Sequence, residues 1–215
     1  MKSRASILGL LGLMLGAGFG GVALAADGMA VAGKHQIATF AGGCFWCVES
    51  DFDHVPGVVR TISGYTGGTS KDPTYNDVTA GGTGHREAVQ IYFDPMKVTY
   101  AALLEVFWRS VDPIDAGGQF CDRGVSYETA IFANSPEQAK LAEVSKQRLQ
   151  NAGTLKKPIV TNIETAMQFY PAEDYHQDYY KKNPLRYQFY RFSCGRDKRI
   201  TELWGDDAHK GIGEH

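Results

Sequence analysis

The spacing of hydrophobic and polar residues along this chain alternates between the period of a strand and the period of a helix, as in a layered domain built from both. Short apolar runs rich in β-branched or aromatic residues predict strands at 35–40, 58–65, 87–93, 127–132 and 158–165. Amphipathic segments bounded by Ser, Thr, Pro or Gly predict helices at 45–54, 99–111, 135–152 and 172–182. This order predicts one α/β (α+β) domain, a two-layer sandwich with a central mixed β-sheet, flanking helices and an irregular C-terminal tail.

The N-terminal 25 residues have the pattern of a secretory signal. Lys2 and Arg4 precede an uncharged apolar stretch, and Ala23-Leu24-Ala25 has the small residues of a cleavage site. Six glycines between residues 9 and 21 lower the hydrophobicity that a spanning helix needs. We therefore predict cleavage after residue 25 and export to a bacterial periplasm, with no membrane contact afterwards. An uncleaved membrane anchor is the alternative.

The remaining chain is divided by its pattern into a linker at 26–34, a domain at 35–195 and a tail at 196–215. Without the signal, about 190 residues remain, which fits a single domain, and we expect a monomer. The net charge goes from −2 to −4, so the composition gives no indication of nucleic-acid binding. An exported protein meets an oxidising compartment, where paired cysteines can rest as disulfides.

The most reactive segment of the sequence is Gly42-Gly43-Cys44-Phe45-Trp46-Cys47, at the predicted start of a helix. A helix N-terminus favours the thiolate of Cys44, which is the nucleophilic form. The pair Cys44-x-x-Cys47 fits a thiol–disulfide oxidoreductase, a zinc site or a structural pair. Zinc sites usually need a second close cysteine pair, and Cys121 and Cys194 are far apart, so we predict no metal.

Other polar residues admit both a functional and an ordinary structural interpretation. Glu87 begins an apolar strand: it either caps a solvated edge or, if buried, has a raised pKa and holds a proton. The solvated edge is the commoner outcome. Asp122 and Tyr127 flank a loop beside a strand, and Tyr75 follows a proline turn, where capping and packing are equally ordinary roles. The tyrosines between residues 170 and 190 are interpreted as packing residues.

Six motifs, taken together and in order from about residue 36 to 195, resemble the peptide methionine sulfoxide reductase A family. They are Gly43-Cys44-Phe45-Trp46, Gly64-Tyr65-Thr66-Gly67-Gly68, Pro73-Thr74-Tyr75, Thr83-Gly84-His85-x-Glu87-Ala88-Val89, Asp122-x-Gly124-x-x-Tyr127 and Ala172-Glu173-Asp174-Tyr175-His176-Gln177-x-Tyr179. Any one of these motifs is weak evidence, whereas six in register are highly specific.

The resemblance implies reduction of methionine-S-sulfoxide in proteins or peptides, with no bound cofactor, and leaves the free amino acid open as a further substrate. It assigns each role to a matching residue: Cys44 as nucleophile, Phe45 and Trp46 around the substrate methyl group, Glu87 as acid, Tyr75 and Tyr127 as hydroxyls on the sulfoxide oxygen, and Asp122 as a placing carboxylate. The attacking cysteine becomes a sulfenic acid, which a second thiol resolves before a thioredoxin-like reductant reopens the disulfide.

Three cysteines could resolve the sulfenic acid. Cys194 lies in a segment similar to the family's C-terminal recycling segment and ranks first, because a mobile tail can deliver it to the site. Cys47 stands where the family mostly has glycine and ranks second, because its side chain can point away from Cys44. Cys121 stands where asparagine is common and ranks third. We therefore expect a Cys44–Cys194 disulfide after one turnover.

Overall fold

The computed structural model describes residues 35–213, so the predicted signal and the whole predicted linker lie outside the described residues. Its strands are β1 Gln36–Ala41, β2 Val58–Thr66, β3 Arg86–Phe93, β4 Gly118–Gln119, β5 Asp122–Arg123, β6 Ala130–Ala133, β7 Asn162–Thr165 and β8 Tyr170–Pro171. Its helices are α1 Phe45–Asp53, α2 Tyr75–Ala80, α3 Tyr100–Trp108, α4 Pro136–Asn151, α5 Tyr179–Lys182, α6 Pro184–Ser193 and α7 Arg196–Trp204. No helix in this part of the chain is long and apolar enough to cross a membrane.

Six strands form one mixed sheet in the order β7-β6-β1-β3-β2-β8. The β6–β7 pair is parallel, whereas the other neighbours are antiparallel. The predicted class, a mixed sheet with flanking helices, is confirmed. Strand β3 is central as predicted, and β4 and β5 form a separate small hairpin.

The two faces of the sheet carry cores of different size because side chains alternate along each strand. Phe40 is paired with Val89 on one neighbouring strand and with Ile131 on the other, and all three belong to the main core with α1 and α3. The alternate positions, such as Ala88 and Phe132, form a much smaller cluster. The main helices therefore pack where the large side chains emerge, and α1 starts at the C-terminal end of β1.

The predicted irregular tail is wrong for residues 196–204, which form α7, and residues 184–193 form α6, a helix that the sequence pattern did not predict. Pro184 occupies the first turn of α6, and Gly195, at φ +72°, separates the two helices. Arg196, Ile200 and Trp204 are buried at a spacing of four residues. Helix α7 is therefore amphipathic. One of its buried positions is an arginine, so the sequence does not show the apolar periodicity that predicts such a helix.

Other predicted elements also differ from the structure. Strand β7 begins at Asn162 rather than at residue 158, and an unpredicted helix, α2, starts with a capping box between Thr74 and Asp77. The predicted helix at 172–182 is helical only at its end, because the side chain of Gln177 bonds the backbone N–H and C=O of Ser63 on β2. That contact ties residues 172–178 to the sheet as turns.

Candidate active site

The turn before α1 places Cys44 at the helix N-cap. Gly43 has a φ of +82°, and a Cβ atom there would lie 2.6 Å from the Cβ of Gln119, so both conformation and space require glycine. The carbonyl of Cys44 accepts hydrogen bonds from the N–H groups of Cys47 and Val48. The thiol is thus held at the first turn of the helix, as the sequence predicted.

The pKa values of the two inner cysteines are shifted in opposite directions. Cys44 is only 7% exposed, and burial, with smaller contributions from Cys47 and Glu87, raises its pKa well above that of an ordinary thiol. The pKa of Cys47 is lowered, chiefly because it accepts a hydrogen bond from Cys44 and also because Arg196 lies near. Burial therefore acts against the effect expected from the helix N-terminus on the pKa of Cys44, and the Cys44 thiolate stays a prediction.

Glu87 lies inside the protein, so the solvated-edge interpretation is wrong. It is 2% exposed on β3 opposite Tyr65, and its Oε2 accepts the N–H of Phe45 at 2.9 Å. Burial raises the pKa of Glu87 to about 8, with a further increase from Asp122, and the hydrogen bond from Phe45 opposes this shift only in part. At neutral pH this carboxyl holds a proton directly beside the nucleophilic turn.

Two tyrosine hydroxyls and one carboxylate lie around the same position. The hydroxyls of Tyr75 and Tyr127 are hydrogen-bonded to each other, and both pKa values are raised, chiefly by burial and then by Glu87, that of Tyr75 to about 12. Both side chains therefore remain hydrogen-bond donors throughout the physiological pH range. Asp122, in the β4–β5 hairpin, accepts a hydrogen bond from the Tyr190 hydroxyl, and burial raises its pKa.

The two aromatics after Cys44 differ in exposure. The ring of Phe45 is buried and lies 6.4 Å from that of Tyr75 and 5.0 Å from that of His176, between ring centroids. The Trp46 indole is half-buried and stacks on Tyr179 at 3.7 Å, with the planes only 6° apart. Such a stack holds the indole rigidly at the edge of the site, as a methyl-binding wall requires.

The four cysteines form two pairs in different redox states. Cys121 and Cys194 are joined by a disulfide, whereas Cys44 and Cys47 are free and buried. The Sγ of Cys194 lies 3.8 Å from Asp122 Oδ2, and Asp122 in turn binds Tyr190, whose hydroxyl is hydrogen-bonded to Cys44. The structure thus pairs Cys194 with Cys121, the candidate ranked third, and connects this outer pair to the nucleophile through two polar side chains.

Residues 36–208 match the family model described as peptide methionine sulfoxide reductase. The chain belongs to the peptide methionine sulfoxide reductase family. It is 55% identical over 181 residues to peptide methionine sulfoxide reductase MsrA 2 of Rhizobium meliloti, covering 84% of this chain and 89% of that protein. It is 57% identical over 172 residues to the MsrA of Bacillus subtilis, covering 80% of this chain and 97% of the relative.

Solved structures of family members have the same fold. The reduced form of Mxr1 from Saccharomyces cerevisiae superimposes with a TM-score of 0.65 at 31% identity, covering 70% of this chain and 87% of that one. Methionine sulfoxide reductase A of Corynebacterium diphtheriae gives a TM-score of 0.63 at 33% identity, covering 71% of this chain and 77% of the other.

Two residues of this reductase site were missed as functional positions. Tyr190 was interpreted as packing, yet its hydroxyl connects Cys44 to Asp122. His176 stood in a quoted motif without a role. The indole N–H of Trp46 can only donate, and it reaches His176 Nδ1 at 3.0 Å, so the imidazole proton lies on Nε2. Burial lowers the pKa of His176, which keeps the ring neutral and the aromatic wall uncharged.

Arg196 was also missed, because it lay in the predicted tail. Its guanidinium is 2% exposed and donates to the carbonyl of Gly42 at 3.0 Å and to that of Ser110 at 2.8 Å. Gly42 comes two residues before the nucleophile. Helix α7 therefore fixes the backbone of the nucleophilic turn of the reductase, although it contributes no reacting group.

Proposed function

We propose that this reductase repairs methionine-S-sulfoxide in oxidised exported proteins through attack by Cys44. The observation that carries the proposal is the buried Glu87 carboxyl, whose pKa is raised to about 8 and which bonds the N–H that follows the nucleophile. A sulfoxide sulfur becomes electrophilic when its oxygen accepts a proton, so an acid that is protonated at neutral pH is needed there.

The reducing step transfers the sulfoxide oxygen to the enzyme. Its oxygen lies between Glu87 and the hydroxyls of Tyr75 and Tyr127, while Phe45 and Trp46 bound the space for the S-methyl group. The Cys44 sulfur attacks the sulfoxide sulfur as Glu87 donates its proton to the oxygen, and the proton that the Cys44 thiol loses returns to Glu87. Methionine leaves with two more electrons than the sulfoxide had, and Cys44 becomes a sulfenic acid.

Recycling proceeds through the outer cysteines. The Cys194 thiol attacks the sulfenic acid, forming a Cys44–Cys194 disulfide and releasing water. Cys121 then attacks Cys194, which frees Cys44 and leaves the Cys121–Cys194 disulfide seen in the structure. An external dithiol protein of the thioredoxin kind reduces this bond, and no bound cofactor takes part. Cys47 stays a buried hydrogen-bond acceptor of Cys44.

The burial of both sulfurs opposes the alternative of disulfide exchange by Cys44 and Cys47, although the two thiols are neighbours. Cys44 is 7% and Cys47 2% exposed, so a protein disulfide cannot reach either sulfur without opening the site. A small sulfoxide group entering between aromatic side chains has no such requirement.

An assay that resolves the two sulfoxide epimers tests the proposal. With dithiothreitol as reductant, the wild type should convert methionine-S-sulfoxide in a peptide and leave the R epimer unchanged. Peptide mapping after one turnover without external reductant should find Cys44–Cys194 or its product Cys121–Cys194. Mapping that finds Cys44–Cys47 would contradict the proposed recycling order, and conversion of both epimers would contradict the site assignment.

We further propose export, on the pattern of residues 1–25, and a monomeric state. Mass spectrometry of the protein from a periplasmic fraction should give a mature chain that begins at Ala26. A chain that retains Met1 would contradict cleavage, and recovery only from the cytoplasm would contradict export. Sedimentation of the mature protein should give a single species with the mass of one chain.

A further inference from the structure

Glu173 accepts hydrogen bonds from two different parts of the domain. Its Oε1 accepts the backbone N–H of Tyr75 at 2.9 Å, and its Oε2 accepts the hydroxyl of Tyr65 at 2.8 Å. Tyr75 is the first residue of α2, whereas Tyr65 lies on β2 of the six-stranded sheet. The mechanism gives Glu173 no role, yet its carboxylate joins the helix that carries Tyr75 to the sheet.

The sheet fixes the position of this carboxylate. Glu173 follows β8, which pairs with β2. The N–H of Ala172 donates to the carbonyl of Ser63 on β2 at 2.9 Å. Tyr65 is fully buried and lies opposite Glu87 in the register of β2 and β3. The backbone before Glu173 and the hydroxyl that it binds are therefore both anchored in the sheet that carries the acid Glu87.

Helix α2 depends on bonds from outside because it is short. It has six residues, and an isolated helix of this length is not stable in water. Thr74 and Asp77 form a capping box that satisfies the backbone N–H groups of both residues. The N–H of Tyr75 has no acceptor within the helix, and Glu173 supplies one. Glu173 therefore completes the start of α2 at the residue that carries the site hydroxyl.

The charge of Glu173 suits an acceptor of two hydrogen bonds. Burial acts to raise its pKa, but the donors, chiefly the N–H of Tyr75, outweigh burial and lower the pKa overall. The carboxylate is therefore ionised at neutral pH. Glu87 makes a similar bond to the N–H of Phe45 at the start of α1, yet burial raises its pKa to about 8. Each glutamate thus holds the first residue of a site helix, but of the two only Glu173 is an anion at neutral pH.

We propose that Glu173 is the positioning residue of Tyr75 and holds its hydroxyl where it donates to the sulfoxide oxygen. This inference rests on the proposed function, which gives that donation to Tyr75 and Tyr127. The two hydroxyls are hydrogen-bonded to each other, so both must stay aligned to reach one oxygen atom. A displacement of α2 would remove one donor from that atom, although Tyr75 itself would be intact. Glu173 acts through Tyr75 and takes no part in proton transfer.

Three substitutions of Glu173 separate position from charge, with a methionine-S-sulfoxide peptide as substrate and dithiothreitol as reductant. Glu173→Ala removes both hydrogen bonds and should lower kcat/KM on the order of tenfold or more, because a displacement of about 1 Å in a binding group costs this much. Glu173→Gln should stay within about threefold of the wild type, since its amide oxygen can accept the Tyr75 N–H and its NH₂ group can donate to the Tyr65 oxygen.

Glu173→Asp keeps the charge, but its side chain is shorter by one methylene group and withdraws the carboxylate from the Tyr75 N–H. It should therefore be less active than Glu173→Gln. Higher activity of Glu173→Asp than of Glu173→Gln would overturn the proposal, because charge rather than position would then decide the rate. This comparison holds even if Glu173→Ala fails to fold, which circular dichroism and urea titration would detect.

A double-mutant cycle tests whether Glu173 acts through Tyr75. In a Tyr75→Phe background the positioned hydroxyl is already gone, so Glu173→Ala should cause a further loss in kcat/KM of only about twofold or less. In a Tyr190→Phe background, which removes a hydroxyl that binds Asp122 instead, Glu173→Ala should keep its full effect. A residue with a purely structural role would lower kcat/KM equally in both backgrounds, and that result would overturn the proposal.

Two further variants serve as controls. Asp174→Ala removes the exposed carboxylate next to Glu173 and should leave kcat/KM unchanged. Tyr65→Phe breaks only the second bond of Glu173 and should cost less activity than Glu173→Ala, because the bond to Tyr75 remains. An equal loss in Tyr65→Phe and Glu173→Ala would assign the effect to Tyr65 and overturn the proposal. A wild type that is inactive with dithiothreitol would contradict the proposed function itself, whereas a fully active Glu173→Ala beside an active wild type would overturn only the role of Glu173.

Discussion

The two cysteine pairs of this molecule differ in surroundings, redox state and access. Cys44 and Cys47 are buried thiols on the first turn of α1, whereas Cys121 and Cys194 form a disulfide at the surface. The buried pair suits a step in which a protonated acid and a nucleophile act without competing water. The outer pair suits exchange with another protein. The comparison teaches that oxygen removal and electron supply are separated in space and connected through Tyr190 and Asp122.

The largest expected effect is the loss of the inner nucleophile. Cys44→Ser should lower turnover of a methionine-S-sulfoxide peptide on the order of a thousandfold or more with any reductant, because a serine hydroxyl is a much weaker nucleophile than a cysteine thiol. Cys47→Ser is the matched control and should retain activity with dithiothreitol. If Cys44→Ser stays active while Cys47→Ser is dead, the roles within the inner pair are reversed.

Glu87→Gln should lower kcat on the order of 10²- to 10³-fold, because glutamine cannot supply a proton. In the wild type, activity should fall as pH rises through about 8, where Glu87 loses its proton, and the variant should lack this limb. Glu49 is a buried glutamate on α1 whose pKa is also raised to about 8, so Glu49→Gln is a matched control that should keep rate and pH profile. A fully active Glu87→Gln would remove the acid from the mechanism.

Cys194→Ser should separate the two regions kinetically. It should complete one turnover at the wild-type rate and then stop when thioredoxin is the sole reductant, a loss on the order of tenfold or more in steady-state rate. Quenched-flow measurement of the first equivalent of methionine checks this. If Cys194→Ser turns over steadily at the wild-type rate while Cys47→Ser stops after one turnover, then Cys47 is the cysteine that resolves the sulfenic acid.

Arg196→Met should affect the backbone of the nucleophilic turn without touching a reacting group. It removes two buried hydrogen bonds, to Gly42 and Ser110, so we expect about 3 kcal/mol lower stability to urea and a several-fold lower kcat. Lys210→Met, at an exposed ion pair with Asp207, is the control and should stay within about 0.5 kcal/mol. Equal effects of the two substitutions would contradict the role of α7.

A further expected effect is a slope in stability with pH. The pKa of Glu87 is about 4.3 in an unfolded chain and about 8 in the folded one, so the folded state binds more protons between these values. Stability should therefore fall as pH rises from about 5 to about 9, and Glu87→Gln should reduce the slope. Urea titrations at several pH values measure it, and an identical slope in both proteins would mean that Glu87 is ionised when folded.

Much of the first half of the domain could be predicted from local sequence. The apolar period of β1 to β3 and the glycines before Cys44 depend on neighbouring residues, and both predictions hold. The burial of Glu87 depends on its contact with Phe45, 42 residues away, and the edge interpretation failed for that reason. The Cys121–Cys194 bond joins loops 73 residues apart, which no local pattern reveals. Helix α7 was missed because Arg196, a charged residue, occupies one of its buried positions.

The hydrogen bond from Arg196 to the Gly42 carbonyl limits how far the C-terminus can be shortened. The motif resemblance ends near residue 195, and a chain truncated there would keep the acid, the aromatic wall and all four cysteines. Such a truncated chain would nevertheless lose the guanidinium that fixes the backbone before the nucleophile. Truncation after Gly195 should therefore lower activity, although every reacting group remains in the chain.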